Sequence, residues 1–280
     1  MGKKSRRIKP SRERMPFVAR TFEGLPGECD WVALREIVPA ATAQVRVQGH
    51  DQPVRVCSLL PGGTAGIRRP DGEVWLGLQV PHNFGDVSRD LAHVLELAKD
   101  TEPGNPVPMT DPGVGPRLQD VVEPGQSFDV TVHDGFEYWV EGNDDSAQTA
   151  AMLEQANESV APTVRLDSVE AAYWVQMGER VFLRWVLPHD ESPLLDAFAR
   201  LHVAGADTLG DDTRLLGMFR AHGLLVPVWE MEQGQDAGTI EDPIAALSGR
   251  LDEALADTSS LTSEQRSARN GLASRQLTIR

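Results

Sequence analysis

Val87, Leu91, Ala92 and Val94 recur at the i, i+4, i+5, i+7 spacing of one helix face, and Leu194, Phe198, Ala199 and Leu201 repeat that spacing further along the chain. These runs predict helices over 86–99 and 192–204. Upstream of each, short apolar runs rich in Val, Leu and Trp predict strands, at 44–48, 54–60 and 73–80 before the first and at 163–167, 171–177 and 180–187 before the second. Further helices, over 29–38 and 146–158, open the two sets. Connections this short between strands predict antiparallel meanders.

The two sets also share residues. VWLGLQVPHN (74–83) lies over VFLRWVLPHD (181–190) with Val, Leu, Pro and His identical in step, and LREIVPAATAQVRV (34–47) lies over LEQANESVAPTVRL (153–166) at an offset of 119. The offset falls to 107 by Val74/Val181, so the first copy holds 12 more residues, the length of PGGTAGIRRPDG (61–72). That stretch reads as a long hairpin loop, against a short turn at Met177-Gly178-Glu179 in the second copy. The expectation is an α+β protein built by internal duplication of a helix–three-strand–helix unit with antiparallel sheets, plus C-terminal helices. Trp75 and Trp185 are expected to face opposite sides of comparable strands. Because three strands alone bury little, the two units should form one pseudo-symmetric body.

Each unit has a sequel. After the Pro/Gly-rich 102–116, FDVTVHDGFEYWVEG (128–142) alternates around Asp-Gly and predicts a hairpin. RLLGMFRAHGLLVPVWEM (214–231) reads as a short helix closed by Gly223 and then a buried strand. DPIAALSGRLDEALAD opens a helix that Asp242 can cap with Pro243 in its first turn, and a more polar helix near 262–276 ends the chain. The segments are thus 1–16, a basic disordered tail; 17–145, the first unit with its extra hairpin; 146–236, the second unit; and 237–280, a helical extension.

Composition changes this picture at the ends. The net charge is −15, yet residues 1–14 hold seven Lys/Arg against Glu13 alone and residues 261–280 hold four Arg against Glu264, leaving about −24 between them. Lys3, Lys4, Arg6, Arg7, Lys9, Arg12 and Arg14 have no apolar periodicity around them, so this segment cannot bury a core but can neutralise phosphates of RNA, DNA or the ribosome. No apolar run approaches 18 residues and no cleavable leader follows the basic start, which predicts a cytoplasmic protein without a membrane partner. Cys29 and Cys57 are too few for a disulfide framework and read as reduced thiols.

Candidate chemistry is sparse. In the 61–72 stretch, Gly62 and Gly63 with Arg68 and Arg69 could cradle an anion, but Gly-Lys-Ser/Thr is absent and the flanks are both strands. His82 and His189 could meet near a pseudo-twofold axis as ligands of one metal, with Asp190 and Glu191; equally, a proline ends each strand and the histidine sits at the corner before a helix. No metal site is assigned, no cofactor motif is found, and no nucleophile–base pair or diagnostic carboxylate pair stands out, so no catalytic residue is named.

PFVARTFEGLPGECDWVALREIVPAATA (16–43), FRAHGLLVPVWEM (219–231) and RNGLASRQLTIR (269–280) together resemble an uncharacterised actinobacterial family, a domain of unknown function of about this length. Some members of that family carry a SEC-C zinc motif, and some are labelled SecA-like or topoisomerase. This chain lacks the SEC-C cysteines and a Walker A motif, so neither label is transferred and the resemblance implies little about function. The expected function is a non-catalytic binding or adaptor protein that contacts an anionic partner through its basic termini and a protein through its acidic body. The competing expectation is a small-molecule or metal-binding enzyme with its site at the junction of the two units. A third is a protein–protein module in which the tail plays no part.

Overall fold

The computed structural model describes residues 17–141, 147–210 and 213–274. The first set of elements is α1 (Glu28–Glu36), β1 (Ala41–Val45), β2 (Val54–Cys57), β3 (Gly66–Arg68), β4 (Val74–Gly77) and α2 (Val87–Asp100). Then come β5 (Pro106–Val107), α3 (Leu118–Val121) and β6 (Thr131–Val132). The second set is α4 (Ala147–Asn157), β7 (Thr163–Arg165), β8 (Ala172–Met177), β9 (Arg180–Trp185) and α5 (Glu191–Val203). β10 (Arg214–Ala221), β11 (Leu224–Met231), α6 (Glu241–Ala256) and α7 (Ser263–Ser274) follow. The protein is α+β, with two mostly antiparallel sheets ordered β5-β3-β4-β2-β1-β6 and β10-β11-β9-β8-β7.

Alternation along the strands assigns each sheet two buried faces. Val54, Val56, Val74 and Leu76 join Trp31, Val32 and Leu34 of α1, Leu91 and Leu95 of α2, and Tyr173, Leu224, Val226 and Val228 of the second sheet in one central cluster. The opposite face of the first sheet offers Cys57 and Trp75 to Phe136, Tyr138 and Trp139. The opposite face of the second offers Trp174, Leu183, Trp185, Leu225 and Trp229 to α5, α6 and α7. Trp75 and Trp185 therefore both face away from the central cluster, each into its own outer one.

Residues 61–72, the 12 expected to be extra in the first of two repeats, alter topology as well as loop length. Residues 61–72 form a 3-10 turn at Pro61–Gly63, then β3, then a tight turn in which Arg69 N–H donates to Glu73 O at 2.8 Å. β3 runs antiparallel to β4 along its outer edge, so β4 returns parallel to β2, with Arg55 beside Trp75 and Cys57 beside Gly77. In the second unit β9 runs antiparallel to β8 through a two-residue turn. The two VxL…PH strands thus have opposite directions relative to their neighbours, and the all-antiparallel meander expected for the first unit is corrected.

Two further expectations change. Residues 214–221 are a strand, paired antiparallel with β11 from Arg214/Glu230 to Ala221/Leu224. Both faces of this strand are apolar because it lies between the central and outer clusters, and such a run has no period that separates strand from helix. Gly223, read as a helix end, is the second residue of a two-residue turn in which His222 (φ 48) and Gly223 (φ 85) both take the left-handed conformation. A Cβ on Gly223 would lie 2.6 Å from Ala19 O, so the 19–22 segment crosses this turn only because it carries no side chain.

The expected hairpin at 128–142 does not pair with itself. β6 pairs with β1 (Ala41/Val132), and the chain then turns through a 3-10 helix that buries Tyr138 and Trp139 against Trp75. Asp242 lies inside the first turn of α6 and caps nothing. Glu241 instead accepts from the N–H groups of Asp167 and Ser168, both at 2.9 Å, and ties α6 to the β7–β8 connection.

Candidate functional site

The Pro-His corners explain themselves structurally. Asp86 caps α2, its side chain accepting from Ser88 N–H at 3.2 Å, and Asp90 from the next turn accepts Phe84 N–H at 2.8 Å, which fixes the 81–85 loop. His82 is exposed at this corner, its ring edge-on to Phe84 at 6.3 Å. At the other corner Pro188 O accepts from Arg20 and Asp190 pairs with Arg20 at 3.6 Å, while His189 is half-buried. Among the described residues no three His, Cys, Asp or Glu side chains group as a metal site would require. The two carboxylates considered beside His82 and His189 are engaged by arginines: Arg20 pairs with Asp190, and Arg220 with Glu191 at 2.5 Å.

The loop singled out for its glycines and arginines is divided by β3 among three surroundings. Arg68 donates to Lys99 O and Thr101 O at 2.9 and 2.7 Å, closing the carboxyl end of α2. Arg69 is buried, its guanidinium 4.4 Å from the Trp75 ring centre and donating to Trp139 O and Glu141 O; Arg55 stacks on the same ring at 4.8 Å. Both arginines are occupied by structure, so the four-residue anion cradle is not assembled. Gly62 and Gly63, left-handed at φ 66 and 69, go elsewhere. They form the rim of a shallow pocket of about 440 Å3 beyond the carboxyl ends of the parallel strands β2 and β4.

That pocket is bounded by Arg35 and Glu36 at the end of α1, Leu59, the two glycines, and Gln79, Val80 and Pro81. Gln79 is pinned by its amide nitrogen to Leu34 O and Val38 O, both at 2.8 Å, which ties the strand end to the helix end. Glu36 accepts from His222 Nε2 at 2.9 Å, and His222 Nδ1 meets Thr21 Oγ1 at 3.0 Å, so the hairpin turn between β10 and β11 reaches across to the first sheet's helix.

Arg35 is the residue whose bonding is incomplete. Its side chain is 10 % exposed, one Nη donates to Leu78 O, and Nε, 3.4 Å from Glu36 Oε1, makes no hydrogen bond. Burial lowers its pKa from the usual arginine value. Asp90, 1 % exposed, has one oxygen on Phe84 N–H and the other without a partner, and burial raises its pKa. Arg35, Glu36, Gln79 and His222 were absent from the sequence-level candidates. The available signal was an adjacent charge pair, Arg35-Glu36, closing the apolar run Trp31–Leu34, and a histidine in an Ala-His-Gly-Leu turn.

Elsewhere the buried chemistry is structural. Asp30 accepts from Tyr173 Oη at 2.5 Å and from Arg165 Nη2 at 3.0 Å, joining α1 to β7 and β8. Cys29 and Cys57 are buried free thiols whose pKa values burial pushes far up, the opposite of what a thiolate nucleophile needs. Lys3, Lys4, Arg6, Arg7, Lys9, Arg12 and Arg14 lie outside the described residues.

A family model described as "Family of unknown function (DUF5926)" matches residues 21–280. No curated protein and no solved structure matches the chain.

Proposed function

The chain belongs to this family of unknown function, and we propose that it acts as a non-catalytic binding or adaptor protein whose basic amino-terminal segment contacts a nucleic-acid partner, RNA or DNA, free or in the ribosome. The observation that carries this reading is how charge is divided between the amino-terminal segment and the body. In the body, Arg20 pairs with Glu28, Arg55 with Glu141, Arg117 with Asp86, Arg165 with Asp30, Arg180 and Arg214 with Glu230, Arg200 with Asp257, and Arg220 with Glu191. Those guanidinium groups are held by the body's own carboxylates, within a surface that is strongly acidic overall. In the carboxyl-terminal segment Arg269 is likewise held by Asp196 and Arg266 by Leu261 O. Residues 1–14 carry seven cations against one carboxylate, which would attract a polyanion, while the body's negative charge would keep that polyanion at the segment and away from the sheets. The segment lies outside the span the family model matches.

Co-sedimentation with ribosomes and with bulk nucleic acid across a salt series tests this, comparing the full chain with one lacking residues 1–14. Binding by the full chain alone, falling steeply with salt, is the expected result. Equal binding by both chains, or none by either at low salt, would refute the reading. A cytoplasmic location accords with it; no helix among the described residues is long and apolar enough to cross a membrane.

A further inference from the structure

We propose that the pocket beyond β2 and β4 binds a small amphoteric molecule of the α-amino-acid class, with Arg35 as anchor for its carboxylate and Glu36 as acceptor for its ammonium group. This site is independent of the basic amino-terminal segment. The lining combines a cation and an anion from adjacent residues, Arg35 and Glu36, with the apolar residues Leu59, Val80 and Pro81. A ligand with one charge would meet attraction from one of the pair and repulsion from its neighbour; a ligand carrying both charges meets two attractions. About 440 Å3 is ample for such a molecule and falls within the range of small-molecule sites.

Arg35 carries the argument. A buried guanidinium is costly unless its donors are used, and most of the body's arginines satisfy theirs with carboxylates or carbonyls. Arg35 keeps Nε unbonded and closed to solvent in a side chain nine-tenths buried, with a single carbonyl acceptor on one Nη and a loosely placed Glu36, so a carboxylate in the pocket would meet its Nη edge. Its planar fork matches a carboxylate. Its neighbours are fixed without consuming it. His222 holds Glu36 from the far side, and Gln79 gives its amide to the carbonyls that end α1. Gly62 leaves the mouth open, since a Cβ there would meet nothing within 4 Å, whereas a Cβ on Gly63 would touch Pro81 at 3.4 Å.

The test is two-dimensional NMR of the full chain, following the Arg35 Nε–H and the Gly62 and Gly63 amides. The probes are a panel of L-α-amino acids, with propionate, n-butylamine and inorganic phosphate as single-charge controls. At least one amino acid is expected to shift all three signals saturably at concentrations up to about 10 mM, with each control at least about tenfold weaker. Glu36→Gln, at a half-exposed position that should not disturb folding, is expected to weaken the amino acid about tenfold or more and to strengthen propionate by removing the like charge; Arg35→Lys is expected to weaken both. The proposal is overturned if no amino acid moves these signals, if propionate or phosphate binds as well as the best amino acid, or if Glu36→Gln binds the amino acid as wild type does.

Discussion

Replacing Asp30 with Ala removes the one carboxylate shared by α1, β7 and β8. Asp30 is 2 % exposed and accepts from Tyr173 Oη at 2.5 Å and from Arg165 Nη2 and Nε at 3.0 and 3.3 Å. Removing one partner of a buried, hydrogen-bonded charge pair costs about 3–5 kcal/mol. Arg165 is one-quarter exposed and can turn toward water, whereas the Tyr173 hydroxyl cannot, so the expected loss lies near the lower end, about 3–4 kcal/mol. Tyr173→Phe deletes a single hydrogen bond to a charged acceptor and should cost about 1.5–3 kcal/mol. In the double variant no orphaned hydroxyl remains, so the two losses should fall short of additivity by about 1–2 kcal/mol. Urea unfolding followed by tryptophan fluorescence measures all three, with an unchanged m-value showing that the same surface is exposed each time. An Asp30→Ala loss below about 1 kcal/mol, or strict additivity in the double variant, would refute the coupling.

Arg69→Ala should lower stability by about 2–4 kcal/mol through loss of the Trp75 stack and two carbonyl contacts, whereas Arg68→Ala, which frees only the end of α2, should cost about 1 kcal/mol; urea midpoints separate the two. Gly223→Ala should destabilise by more than about 1 kcal/mol and expose the 17–22 segment to protease, because its Cβ would collide with Ala19 and Arg20. Asp90 titrates above its unfolded value because of burial, so its contribution is complete below the unfolded pKa and is lost as pH rises through the folded one. Asp90→Asn should therefore remove a decline in stability on going from acid to neutral pH, read from urea midpoints at successive pH values. Cys29 and Cys57 should resist a thiol reagent in native protein and react together once urea unfolds it.

Much of the architecture is legible from spacing. Helices expected over 29–38, 86–99, 146–158 and 192–204 lie at 28–36, 87–100, 147–157 and 191–203, and α2 and α5 carry the apolar face that the i, i+4, i+5, i+7 spacing marks. What spacing cannot carry is direction and partnership. Nothing in PGGTAGIRRPDG distinguishes a loop from a loop holding a three-residue strand, yet that strand reverses β4 and creates the parallel pair at whose end the pocket lies. β10 was hidden because both of its faces are buried, and β6 because its partner, β1, lies about ninety residues earlier. The candidate site followed the same rule. Gly62 and Gly63 were visible as glycines, whereas Arg35 gains significance only from the incomplete bonding that burial gives it, and His222 only from a turn that places it beside Glu36.

The central claim, contact with a nucleic-acid partner through seven amino-terminal cations, is tested most directly by the salt dependence of affinity for a labelled single-stranded RNA. Neutralising seven phosphates predicts a slope of log K against log salt of about −5, collapsing toward zero when Lys3, Lys4, Arg6, Arg7, Lys9, Arg12 and Arg14 are all replaced by Gln. A shallow slope in the wild type, or a steep one that survives the seven replacements, would contradict it.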